Sequence, residues 1–230
     1  MNWKAKIKQS VPAPVLNNVL LTFPSLYRTQ LVYYETNLRE HDGISELLTQ
    51  LSMVLNIEGD ILECGSSRCG ASIIMANYLK SKQTPKIIYA CDSFEGFDRA
   101  ELGKEREAGL SQAPDKAFTS TSYEYVKKKI EKLGVEDLVV PIKGFFQDTL
   151  PSLRSDFCFA LVDCDLKDSL IFCAETIWPK LMNHGRIVFD DYTSEQYQGA
   201  HLGIDFFVNK YKDEISEHGL MDRLYYVCKR

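Results

Sequence analysis

Four short apolar runs in this 230-residue chain carry an acid at their carboxyl end. Ile61-Leu62 runs into Glu63, Ile87-Ile88-Tyr89-Ala90-Cys91 into Asp92, Phe157-Cys158-Phe159-Ala160-Leu161-Val162 into Asp163, and Ile187-Val188-Phe189 into Asp190. Uninterrupted apolar runs of this length, Phe157–Val162 above all, read as strands buried on both faces, the pattern of a parallel sheet. Helical stretches separate them: Ala71 to Leu79, a stripe of Tyr123, Val126, Ile130 and Leu133, and another of Leu170, Ile171, Ala174, Ile177 and Trp178. Strand alternating with helix predicts an α/β domain with a doubly wound, mostly parallel sheet. Ligands of such sheets bind outside the carboxyl ends of the strands. The four acids are therefore expected on one edge.

The first of these strands opens into Gly65-Ser66-Ser67-Arg68-Cys69-Gly70. Strand, glycine turn and helix begin a nucleotide-binding βαβ unit, and Asp92, past the second strand, is placed to accept both hydroxyls of an adenosine ribose. The turn also narrows the nucleotide. A P-loop has Lys after its last Gly, and Ala71 stands there. A pyrophosphate-binding turn has Gly at its middle position, and Ser67 stands there. Glu63 would repel a pyrophosphate but can pair with an α-amino group. An adenosine joined to an amino acid without phosphates is S-adenosylmethionine. Phe145 and Phe146, after a third strand at Leu138–Ile142, are candidates to stack on adenine or to fill the core.

Asp163 and the Asp190-Asp191 pair close consecutive strands joined by one helix. If those strands are neighbours, three carboxylates meet and raise one another's pKa unless a hard divalent cation such as Mg2+ takes them as oxygen ligands. Bound acceptor hydroxyls would then lose a proton more easily, with Asp163 as general base. Asp165 reads as a turn or cap residue, with Asp168 or Ser169 capping the helix that follows. His201 is the alternative base.

Outside this core, Gly43–Leu55 is helical by its Ile44, Leu47, Leu48, Leu51 and Val54 spacing, and a further helix covers about 200–211. Leu224–Lys229 alternates as a one-sided, antiparallel strand. Residues 1–55 are read as an N-terminal helical extension, with apolar segments at 16–23 and 31–34, covering the sheet, a dimer face or the substrate; residues 56–230 form the domain. Ser93–Thr119 is long and polar, either a solvated charged helix or a lid. A net charge of -5 leaves no footprint for nucleic acid, and no run reaches membrane-spanning length. Seven dispersed cysteines without C-x-x-C pairs fit a reduced, cytoplasmic protein.

Five motifs in order, Asp60–Gly65, Asp92–Phe97, Gly144–Pro151, Val162–Asp165 and Val188–Tyr192, resemble the macrocin-type O-methyltransferases, class I enzymes that methylate sugar hydroxyls of antibiotics. The resemblance implies a seven-stranded sheet, Asp163, Asp190 and Asp191 as magnesium ligands, Asp163 as base, and a hydroxylated small-molecule acceptor. With the turn residues it gives a cofactor set of Glu63, Gly65, Ser66, Ser67, Gly70, Asp92, Ser93, Phe94, Gly144, Phe145 and Phe146. Cys164 and Lys167-Asp168 depart from the family pattern. Three rivals remain: a metal-independent class I methyltransferase, a nicotinamide-dependent Rossmann oxidoreductase, and a non-catalytic cofactor-binding scaffold. A homo-oligomer is left open.

Overall fold

Helix and strand alternate from Gly43 onward: α1 (Gly43–Ser52), β1 (Asp60–Cys64), α2 (Gly70–Lys82), β2 (Ile88–Asp92), α3 (Arg99–Glu107), α4 (Tyr123–Leu133), β3 (Val139–Lys143), α5 (Phe146–Thr149), β4 (Phe157–Val162), α6 (Lys167–Ile177), β5 (Leu181–Phe189), α7 (Gln198–Tyr211), β6 (Ile215–Leu220) and β7 (Tyr225–Lys229). The computed structural model describes residues 35, 36, 38 and 43–230, so the segments expected at 16–23 and 31–34 lie outside the described residues.

The seven strands form one sheet in the order β3-β2-β1-β4-β5-β7-β6. The β1, β2, β3, β4 and β5 pairings are parallel, and β7 pairs antiparallel with both β5 and β6. Alternate residues of the central strands serve two cores, as the period of two in a strand dictates. Ile61, Phe159, Leu161 and Val188 pack with α1, α2 and α4 on one face. Leu62, Cys64, Ala160, Val162, Ile187 and Phe189 pack with α6 and α7 on the other. Both faces are thus covered, which is why β4 is buried at all six positions.

β6 was not expected from the residues. It lies at the sheet edge, and only Ile215 of its six residues is buried. A strand that carries Ser216, Glu217 and His218 in the solvent has no apolar pattern to read. No helix among the described residues is long and apolar enough to cross a membrane.

Candidate active site

Parallel register brings the acids to one edge. Cys64 of β1 lies beside both Cys91 of β2 and Val162 of β4, and Val162 beside Phe189 of β5. Asp163 and Asp190 follow at the same level: the Asp163 N–H donates to the Cys64 carbonyl at 2.9 Å and the Asp190 N–H to the Val162 carbonyl at 3.1 Å.

The glycine turn is built against this edge. The N–H groups of Gly65 and Ser66 both donate to the Cys91 carbonyl. Gly65 has φ +88°, and a Cβ there would lie 1.8 Å from the Asp163 carbonyl oxygen, so only glycine lets the two strand ends meet. Asp92 closes the turn: Oδ2 accepts the Ser67 N–H at 2.8 Å and Oδ1 the Phe94 N–H at 2.6 Å. Burial raises the Asp92 pKa, opposed by those two backbone donors. Glu63, 1 % exposed, accepts the Ser72 hydroxyl from α2. Its burial pushes the carboxyl up to about 7 despite that bond.

A single cavity runs along the strand ends. Glu63, Gly65, Ser66, Ser67, Gly70, Asp92, Ser93, Gly144, Phe145 and Phe146 line it, and it continues past Asp163 and Asp165. Phe145 leaves a large ring partly exposed at its wall. Of the expected cofactor residues, Phe94 alone is absent from the lining. Its ring is 3 % exposed in the first core, against Tyr123, and it offers this region only its backbone N–H.

The carboxylate cluster differs from the expected set in one member. Oxygens of Asp163, Asp165 and Asp191 all lie within 4.8 Å of one another. Asp190 is close enough to raise the pKa of Asp163, second to burial, but its own carboxylate is taken up by Arg223. The Arg223 guanidinium donates to both its oxygens, at 2.8 and 2.7 Å, and Oδ1 also accepts the Asp191 N–H. These three donors take most of the lone-pair sites of the Asp190 carboxylate. Asp190 therefore holds Asp191, which sits at φ +62°, in place. Asp165, read from sequence as a turn or cap residue, takes the third position at φ +63° and hydrogen-bonds to Asp191. Burial, then neighbouring aspartates, raises the pKa of Asp165 as well.

Nor does the Asp168-Ser169 pair cap α6. The orphan N–H groups of its first turn go to carboxylates of α3: Lys167 N–H to Glu105 at 2.9 Å and Ser169 N–H to Glu101 at 2.7 Å, with the Ser169 hydroxyl also on Glu101. α3, capped by Asp98, is thereby docked over the cavity, which Phe97, Asp98 and Glu101 line. Backbone pairing of Leu110 and Gln112 with Gln198 and Gln196 ties down its far end. Sequence reasoning missed Glu101, Glu105 and Arg223 because each is recognised only by its distant partner. Asp165 had a signal, the Asp-x-Asp spacing directly after β4. His201 lies outside the cavity lining, paired with Asp205 at 3.0 Å and stacked on Tyr192.

Known proteins resemble this chain in sequence and in fold. The family model described as Macrocin-O-methyltransferase (TylF) matches residues 41–224. The 8-demethyl-8-(2,3-dimethoxy-alpha-L-rhamnosyl)-tetracenomycin-C 4'-O-methyltransferase of Streptomyces olivaceus is 30% identical over 152 residues, 63% of this chain and 57% of that protein. Demethyldecarbamoylnovobiocin O-methyltransferase of Streptomyces niveus is 29% identical over 141 residues, 60% of this chain and 54% of that protein. The chain thus spans little more than half the length of these relatives. The solved O-methyltransferase NovP shares the fold, with a TM-score of 0.71 at 23% identity over 81% of this chain and 78% of that one.

Proposed function

This chain belongs to the macrocin-O-methyltransferase family, and from that premise we propose that it methylates a hydroxyl of a small sugar-bearing acceptor, using S-adenosylmethionine with magnesium. The carrying observation is the continuity of one cavity from Glu63, Asp92 and Phe145 to Asp163 and Asp165. It joins a place for an adenosyl amino acid to a place for a hard cation.

The donor sets fit both groups. A buried and a half-buried carboxylate, Glu63 and Asp92, suit an ammonium and a ribose diol, and a partly exposed phenyl ring suits a planar base. Three mutually close carboxylates with no nitrogen or sulfur donor suit magnesium. The cofactor would supply an electrophilic sulfonium methyl, and the metal would lower the pKa of a bound hydroxyl. Asp163, which like Asp165 belongs to both cavity and cluster, would orient the acceptor hydroxyl and take its proton. Asp92 would fix the ribose, and Glu63 the amino group. α3 would exclude water above them. Asp165 and Asp191 would complete the metal set, with Asp190 and Arg223 supporting Asp191 from behind.

A dinucleotide fits less well. The N–H at the middle of the turn is spent on Asp92, and the adjoining wall is acidic. The methyltransferase domain is assigned to residues 56–230, after an extension of 55 residues. Seven free, buried cysteines fit a reducing cytoplasm.

The test is calorimetric titration of S-adenosylhomocysteine into the protein and its Asp92→Ala variant, then glycoside acceptors with magnesium or with EDTA. Tight binding that Asp92→Ala weakens, followed by metal-dependent methylation, is expected. No binding by the folded protein would overturn the reading; turnover in EDTA would remove the metal from it.

A further inference from the structure

We infer that Glu35, far from the cofactor set in sequence, is a positioning residue for the cofactor turn, acting through a buried ionic cluster with Lys129 and Arg68. The inference rests on the cofactor reading above.

Lys129 lies on the buried face of α4, with Tyr125, Val126 and Ile130, and its side chain is 0% exposed. Its ammonium pairs with Glu35 and donates to the Arg68 carbonyl at 2.8 Å, in the middle of the glycine turn. The Arg68 Nε lies 2.8 Å from the other Glu35 oxygen, and its guanidinium stacks 4.6 Å from the Tyr125 ring. The Tyr125 hydroxyl donates to Glu35 as well, at 2.9 Å. Burial alone would raise the Glu35 pKa, but Lys129 and Arg68 outweigh it and hold the carboxyl below its ordinary value.

Glu35 and Arg68 both line the cofactor cavity. With two cations and a phenol on its carboxylate, Glu35 has little capacity left for a ligand. What it does is hold the Arg68 side chain, while Lys129, paired with it, holds the Arg68 carbonyl. The backbone adds a second constraint. A Cβ at Gly70 would lie 2.6 Å from the Glu35 carbonyl oxygen and 3.0 Å from Thr36 Cβ. Gly70, where α2 begins, is thus a glycine because residues 35 and 36 press on it. Residues 35 and 36 and the cofactor turn thus move as one unit.

A buried charge that loses its partner is strongly disfavoured, so removing either end of the cluster releases the turn. The experiment compares S-adenosylhomocysteine affinity, by calorimetry, for the full-length protein and its Glu35→Gln, Lys129→Met and Lys129→Arg variants. Hydrogen exchange is followed at residues 66–70. Glu35→Gln and Lys129→Met are each expected to weaken binding roughly tenfold, within the usual range for coupled sites. The double variant should be little worse than either single, and Lys129→Arg should recover part of the loss. Exchange should quicken at 66–70 ahead of the β4 amides, and the cofactor KM should rise while the acceptor KM holds.

Binding within twofold of the parent in folded Glu35→Gln protein would overturn the inference. So would exchange that quickens equally throughout, which marks a merely structural role. Should Glu35→Gln not fold, Tyr125→Phe removes one donor from the same carboxylate and is judged by the same readings. Failure of the parent itself to bind would instead strike the cofactor assignment.

Discussion

The two halves of the cavity handle their acids in opposite ways. On the β1–β2 side, Asp92 accepts two backbone N–H groups and Glu63 a hydroxyl, so each carboxylate is held by neutral donors. On the β4–β5 side, Asp163, Asp165 and Asp191 face one another, and the nearby cation, Arg223, is committed to Asp190. The first half is organised without a ligand, whereas the second is left with repulsion to relieve. Preorganisation suits the recognition of a cofactor of fixed shape. Uncompensated charge suits the capture of a cation and a proton.

The largest expected effect separates the halves by chemistry. Asp163→Asn should lower kcat by roughly 10³-fold, the range for losing a general base. Its affinity for S-adenosylhomocysteine should stay within about threefold of the parent, because cofactor binding is carried by the other half. Steady-state kinetics beside calorimetry would show it. A parallel collapse of binding would mean that the halves are not separable.

Next comes a contrast inside the carboxylate half, read by thermal or urea unfolding. Asp190→Ala leaves the partly buried Arg223 guanidinium without its carboxylate and should cost about 3 kcal/mol of stability. Asp165→Asn relieves repulsion, so it should stabilise the metal-free protein by on the order of 1 kcal/mol while weakening magnesium binding. Equal losses from both would place Asp190 among the ligands and dissolve the distinction drawn between them.

Asp92→Ala should then weaken S-adenosylhomocysteine by roughly 10–100-fold, since it removes both the ribose acceptor and the closure of the turn. Ser67 and Phe94 both sit at positive φ around that carboxylate, so the loop relaxes when it is gone.

The same contrast explains what could be read in the chain itself. The sheet and its ligand edge were legible because apolar runs ending in acid obey a local rule, and Gly65, Glu63, Asp92 and Asp163 fell where that rule puts them. The pairing of Asp190 with Arg223 could not be read from the chain, because the two lie 33 residues apart. Asp165 reads as a cap because an aspartate before a helix ordinarily is one, whereas the N–H groups of that turn go to Glu101 and Glu105 of α3. Ser93–Thr119 carries charges that look solvated until the first turn of α6 is set against them. Each of these features involves a charge whose partner is remote in sequence. Apolar periodicity is local; charge pairing is not.

The smallest effect tests whether the cofactor half is preorganised in its protonation as well as its shape. Glu63 titrates near 7 in the free protein against an ordinary 4.5, because it is buried. Between those values the folded state holds a proton the unfolded chain has lost, so stability of the free protein should fall as pH rises through that window. Ligand binding should run the other way. The α-ammonium of S-adenosylhomocysteine favours the carboxylate, so affinity should improve as pH rises toward 7 and level off above it. Calorimetry in buffers of different ionisation enthalpy should detect up to one proton released per ligand near pH 6. The Ser72 hydroxyl stabilises the charged form, so Ser72→Ala should move both midpoints upward by less than about one unit. Flat affinity from pH 5 to 7 would mean that Glu63 does not meet the ammonium, leaving Asp92 as the carboxylate of this half that recognises the ligand.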